Sequence, residues 1–165
     1  MEERSSKKIK ITDVKVALRK AESYCAYQER AQQEVRDKLY EWGLWPDAVE
    51  DIIVKLITGN FVNEERFAKA FAGGKFRIKH WGRVKIKIEL KKRKISDYCI
   101  KVAMKEIDEK EYIKTLKKII TLRQAQGDKK KVKGRYAEEL KKQKIVQYCL
   151  SKGFERDIVM DYLKG

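Results

Sequence analysis

Residues 75–95, KFRIKHWGRVKIKIELKKRKI, decide how the chain is read. Between residues 83 and 91 charged and aliphatic side chains alternate, with Val84, Ile86, Ile88 and Leu90 each flanked by Lys, Arg or Glu. Strict alternation is the signature of a half-buried strand. The twenty residues 75–94 also carry ten Lys/Arg and a single acid, Glu89. The aliphatics can anchor such a block to a core while the long cations reach outward, so it reads as a folded positive surface. The plainer alternative is a solvated helix face, which is what most charge runs are. The choice between helix and strand falls to a longer-range pattern.

With Gly43, Lys94 and Gly153 taken as a common origin, apolar residues coincide three times at five offsets. Eight residues before the origin stand Val35, Ile86 and Ile145; four before, Leu39, Leu90 and Cys149. One after stand Leu44, Ile95 and Phe154; six after, Val49, Ile100 and Val159; ten after, Ile53, Met104 and Leu163. The first two offsets are one helix face, and the origin with the apolar residue after it is a glycine-type helix stop. The last two offsets mark a second helix. Because Ile86 and Leu90 obey this frame, the alternating stretch is expected to be helical. The origins lie 51 and 59 residues apart, so the third unit is longer, and the excess is expected as a loop insertion near 124–134.

Outward from the frame, Thr12-Asp13 starts a helix over 14–28, a second spans 30–42, and Pro46 opens a third that ends near Gly59. Asn63 caps a helix carrying Phe67 and Phe71, and Gly73-Gly74 within it is either a break or a close-packing point. Asp108 with Glu111 starts the next unit, which finishes with helices at 135–150 and 156–163. The expected fold is all-α: a loose segment 1–12 and three tandem three-helix modules, 13–59, 60–107 and 108–165, forming an elongated, curved solenoid. Residues 13–58 hold seven basic and nine acidic side chains, so the cationic surface belongs to the second and third modules.

Composition narrows the function. A formal charge of +16 over 165 residues favours a polyanionic partner, and 42% hydrophobic residues suffice for a core. No apolar run approaches a membrane span and the start, MEERSSKKIK, lacks the apolar core of a signal peptide, so a soluble, cytoplasmic protein is expected. Cys25, Cys99 and Cys149 show no metal-ligand spacing and read as reduced core residues. His80 is the single histidine, which leaves at most one imidazole for any triad and removes most transition-metal sites. Gly73-Gly74-Lys75 lacks the glycine and hydroxyl of a phosphate loop, and Glu64-Glu65 reads as a pair complementing a helix dipole. No enzyme, cofactor or metal is expected.

Three groups of residues resemble the RecX family, regulators of the bacterial recombinase RecA. They are Gln28-Glu29-Arg30 running into residues 34–39 and Gly43-Leu44; residues 61–71, FVNEERFAKAF; and Trp81-Gly82 followed by Ile86, Glu89-Leu90 and Ile95. The middle motif is the most specific. Lys94 stands where that family's pattern has glycine. The resemblance implies tandem three-helix repeats, and a non-enzymatic protein that binds the RecA filament on single-stranded DNA and limits its ATP hydrolysis and strand exchange. Contact with duplex DNA would be weaker, and the protein would act as a monomer.

An elongated cationic solenoid suits the phosphates and carboxylates of such a groove, each module adding a weak contact. The expected contact residues are Arg77, Lys79, Arg83, Lys85, Lys87, Lys91, Lys92 and Arg93. Trp81 either stacks or closes the core, and Arg66 either binds or pairs locally with Glu64 or Asn63. Lys133, Arg135, Lys141 and Lys142 form a second basic surface. Two other functions stay open: direct nucleic-acid binding by helix-turn-helix-like modules, and a scaffold that meets an acidic protein. No Asn/Gln/Arg cluster marks a recognition helix for reading bases.

Overall fold

The computed structural model describes residues 10–126 and 134–164. Among them are nine helices and no strand: α1 (Val14–Tyr27), α2 (Gln32–Glu41), α3 (Pro46–Thr58), α4 (Glu64–Lys79), α5 (Arg83–Lys92), α6 (Asp97–Met104), α7 (Glu109–Gln126), α8 (Arg135–Lys152) and α9 (Arg156–Lys164). Local chemistry sets the starts. Asp13 accepts from the Lys15 amide at 2.8 Å, Asn63 from Arg66 at 2.8 Å, Ser96 from Cys99 at 3.3 Å and Asp108 from Glu111 at 3.0 Å. Each side chain satisfies a donor that the first turn leaves without a helical partner. Pro46 occupies the first turn of α3, where its missing N–H costs nothing.

The second helix of each module stops in the same way. Gly43, Lys94 and Gly153 all adopt left-handed backbone, with φ of +92°, +57° and +95°. The next residue closes a bond to the carbonyl five back: Leu44 to Leu39 at 3.3 Å, Ile95 to Leu90 at 3.2 Å, Phe154 to Cys149 at 3.1 Å. This is the Schellman stop, built three times. Lys94 holds it without glycine, at a cost of about 1 kcal/mol.

Residues at the offsets −8, −4, +1 and +6 are buried in all three modules. At +10 Ile53 is buried, whereas Met104 and Leu163 are half-buried, because α6 and α9 end at or beside them while α3 continues. The alternation in residues 83–91 is two helix faces superposed. Ile86 and Leu90 point into the core, and Val84 and Ile88 lie on the opposite side, 43% and 49% exposed. α4 runs unbroken through Gly73-Gly74.

Part of the extra length of the third module lies in its second helix. α8 starts 18 residues before Gly153, whereas α2 and α5 start 11 before Gly43 and Lys94. The two added turns begin at Arg135, where the sequence places the helix, and so lie outside the insertion expected near 124–134. Residues 124–126 belong to α7, and 127–133 lie outside the described residues.

The closest helix pairings, such as α4 with α6, α2 with α3 and α7 with α8, fall inside modules. The modules thus follow one another in a solenoid-like row. α1–α3 enclose one apolar cluster, including Val35, Leu39, Ile52 and Leu56. A second cluster is continuous from α4 to α9, and Ala31 is the one module-1 residue buried in it. All three cysteines are free and buried, and burial pushes the Cys25 thiol up to about 11. Among the described residues, no helix is long and apolar enough to cross a membrane.

Candidate interaction surface

Two joints hold the modules in their row, and they explain where three of the expected contact residues go. At the first joint, Arg66 Nε donates to Glu29 at 2.6 Å and its guanidinium reaches the Asn60 side chain and carbonyl at 3.1 and 2.9 Å. The local pairing expected with Glu64 or Asn63 is not made by this side chain; only the backbone N–H of Arg66 meets Asn63. Arg93 Nε donates to Glu34 at 3.0 Å, its Nη1 to Glu89, and its plane lies 4.8 Å from the Phe71 ring centre. Glu34 in turn accepts from the Ala31 amide at the start of α2. Two acids of module 1 are thereby joined to two arginines of module 2.

At the second joint the backbones of two modules meet. The Gly82 and Val84 amides donate to the carbonyls of Lys152 and Gly153 at 2.7 and 2.9 Å, so the start of α5 satisfies the end of α8. A Cβ on Gly82 would lie 2.2 Å from the Gly153 carbonyl group, so only glycine permits this approach. Arg83 pairs with Glu109 and Glu155 and stacks 4.0 Å above Tyr112. Its guanidinium is partly buried, which opposes charge, yet the two carboxylates hold its pKa above the usual value. Tyr112 is fully buried, donates its hydroxyl to Glu155 at 2.5 Å and accepts from the Arg83 amide at 3.1 Å. Burial, then the Glu155 carboxylate, raise its pKa, so it remains a donor.

Arg83 was expected among the contact residues, with Lys87 and Lys91. Its side chain is instead 18% exposed and serves the joint. Tyr112, Glu109 and Glu155 escaped sequence reading because the pairing spans 26 to 72 residues and no local pattern encodes it. Glu29 and Glu34 did fall inside the quoted motif, though nothing local names their partners. Glu64, read as a dipole acid, accepts from the Ser96 amide and hydroxyl and ties α4 to the start of α6.

The remaining cations form the surface. Arg77, Lys79, Lys87, Lys91 and Lys92 are exposed on α4 and α5. Lys92 bonds Glu89 at 2.9 Å, and Lys91 approaches Asp97 only to 3.9 Å. Trp81 is half-buried, packs edge-on to Phe71 at 6.3 Å, and carries the ammonium groups of Lys75 and Lys85 over its ring at 5.0 and 4.5 Å. It closes the core edge and holds Lys85 in place. Of the second basic group, Arg135 is exposed, whereas Lys141 and Lys142 line an open cleft of about 560 Å³ between α7 and α8 with Arg123 and Lys144. Lys133 lies outside the described residues. Among the described residues, no group of His, Cys, Asp and Glu could hold a metal ion.

Family models place this arrangement. The first three-helix domain of RecX matches residues 17–56, and the second three-helix domain of RecX matches residues 63–104. The chain belongs to the RecX family. The regulatory protein RecX of Prosthecochloris aestuarii is 30% identical over 97 residues, 59% of this chain and 64% of that protein. That of Lactobacillus johnsonii is 31% identical over 104 residues, 63% of this chain and 38% of its own. The matched stretch thus spans less than two thirds of either relative. The crystal structure of RecX from Lactobacillus salivarius superposes with a TM-score of 0.73 at 26% identity, covering 92% of this chain and 94% of that one. A second structure of a regulatory protein RecX shares the fold, with a TM-score of 0.72 at 21% identity, 88% of this chain and 70% of that one. Both RecX domain matches include residues that make the joints: Glu29 and Glu34 in the first, Arg66, Gly82 and Arg93 in the second.

Proposed function

We propose that this chain is a non-enzymatic, cytoplasmic regulator that binds the RecA filament on single-stranded DNA and lowers its ATP hydrolysis and strand exchange. The observation that carries the reading is the pair of tandem RecX domain matches. It is supported by a cationic face, Arg77, Lys79, Lys87, Lys91 and Lys92, left exposed after the joints have taken Arg66, Arg83 and Arg93. Lys85 beside Trp81 and the Arg135, Lys141 and Lys142 group extend the positive surface along the row.

Physically, a filament presents one carboxylate-lined groove beside a continuous line of phosphates. A row of modules on it multiplies individually weak contacts, since each bound module raises the effective concentration of the next. Charge also speeds encounter with such a polyanion. In the test, the purified protein is added to RecA, single-stranded DNA and ATP, and hydrolysis is followed. Hydrolysis falls as the protein approaches saturation of the filament. Unchanged hydrolysis, with binding to bare nucleic acid in the same buffer, would make the chain a direct nucleic-acid binder instead.

A further inference from the structure

α5 is apolar on two sides, and the fold uses only one. Ile86 and Leu90 are fully buried, while Val84 and Ile88, one turn apart, project to the opposite side with 43% and 49% of their surface exposed. At 100° per residue, Lys87 and Lys91 fall on one flank of that pair and Lys85 and Lys92 on the other. The result is a short aliphatic ridge between two rows of ammonium groups. Lys85 is fixed over Trp81 at 4.5 Å, Lys92 is bonded to Glu89 on its own helix, and Lys87 has no partner among the described residues.

Single exposed aliphatics need no explanation. Here, however, β-branched residues occupy two successive turns of an outward helix face where Lys, Glu or Ala would favour the helix more. A row of phosphates would be served by the cations alone, and stacking on bases calls for aromatic rings rather than Val and Ile. An apolar ridge flanked by cations is complementary to a helix with an apolar pair four residues apart and Asp or Glu on both sides. Two such ridges interdigitate in ordinary helix-on-helix packing.

We propose that the outward face of α5 docks an acidic amphipathic helix of a protein partner, Val84 and Ile88 entering its apolar stripe and Lys85, Lys87, Lys91 and Lys92 meeting its carboxylates. Resting on the functional reading above, this assigns the contact of α5 to the protein of the filament and not to its DNA. Apolar burial makes the contact less salt-sensitive than phosphate neutralisation, and the flanking cations set register and orientation.

The double variant Val84→Ala, Ile88→Ala isolates the ridge. It keeps every cation, and alanine favours the helix, so it melts at or above the parent temperature. Binding is measured to RecA assembled on single-stranded DNA, and separately to the same DNA alone, at two salt concentrations. Affinity for the filament falls about tenfold and its salt dependence steepens, while affinity for bare DNA is unchanged. If a folded double variant binds the filament as the parent does, the docking proposal is wrong and the functional reading survives. If filament and bare-DNA binding fall equally, α5 meets nucleic acid and the proposal is likewise wrong. A parent that does not bind the filament overturns the functional reading, and the proposal with it.

Discussion

The two joints of the row differ in kind. Between modules 1 and 2 the contact is mainly ionic: Glu29 with Arg66 and Glu34 with Arg93, all 28–39% exposed, bridge two apolar clusters that exchange residues only at their edges, Ala31 in one and Val62 in the other. One oxygen of Glu29 is buried there without a partner. Between modules 2 and 3 the apolar cluster is continuous, two backbone hydrogen bonds cross, and Tyr112 lies between Phe76 and Phe154 at 5.7 and 5.0 Å. Part-exposed ion pairs contribute about 0–1 kcal/mol each and weaken with salt, whereas a shared core contributes with every buried side chain. The second and third modules are therefore one mechanical body carrying the cationic face. The first, with its acidic excess, is a neighbour held by screened charge.

The sharpest way to break this contrast is Gly82→Ala. The added carbon meets the Gly153–Phe154 peptide unit, 2.2 Å from the Gly153 carbonyl group and 2.3 Å from the Phe154 nitrogen, with no flexible side chain to move. Destabilisation of about 3 kcal/mol is expected in chemical denaturation, with α7–α9 losing their common transition with α4–α6. A variant as stable as the parent would mean that the joint is looser than the backbone bonds require.

Gly153→Val and Gly43→Val sharpen it. Both residues have left-handed backbone, so each pays the conformational penalty of about 1 kcal/mol. At Gly153 the new side chain also meets Lys85, with Cβ at 2.3 Å and its amide at 2.6 Å, whereas at Gly43 it meets only the Lys10 side chain, from 3.2 Å outward. Gly153→Val is therefore expected to lose about 1–2 kcal/mol more than Gly43→Val. Equal losses would place the two stops in equivalent surroundings.

Smaller effects belong to the ionic joint. Arg66→Ala and Arg93→Ala are each expected to cost about 1 kcal/mol or less at low salt, and less still in 0.5 M salt. Hydrogen exchange should then rise in α1–α3 before α4–α9. The smallest effect is Lys94→Gly, which relieves a left-handed lysine and raises stability by at most about 1 kcal/mol in a thermal melt.

What was legible in the sequence follows the same division. The frame anchored on Gly43, Lys94 and Gly153 was readable because one stop and one set of buried offsets recur, and recurrence outweighed the local alternation of residues 83–91. That alternation misleads because α5 is apolar on two opposite sides, which a helix turning 100° per residue shows as period two. The greater length of the third module's second helix was less legible, because a polar extension at its start leaves the recurring offsets unchanged. The roles of Arg66, Arg83 and Arg93 were hidden for a different reason. Their carboxylate partners across the joints lie 26 to 72 residues away, and a guanidinium committed to a joint is indistinguishable in sequence from one facing a partner. Gly82 was visible as part of a motif, but its cause, the backbone of another module, exists only in three dimensions.

The division also decides which residues the central test can use. Reversing Arg83 would break the joint, so the variant that addresses the surface is Arg77→Glu, Lys87→Glu, Lys91→Glu, whose three positions are exposed. Parent and variant are titrated into RecA hydrolysing ATP on single-stranded DNA, with thermal melts in parallel. The account predicts that the parent inhibits, and that the variant melts cooperatively within a few degrees of the parent while its inhibition falls more than tenfold. A variant that melts like the parent and inhibits like it would contradict the assignment of this face to the filament.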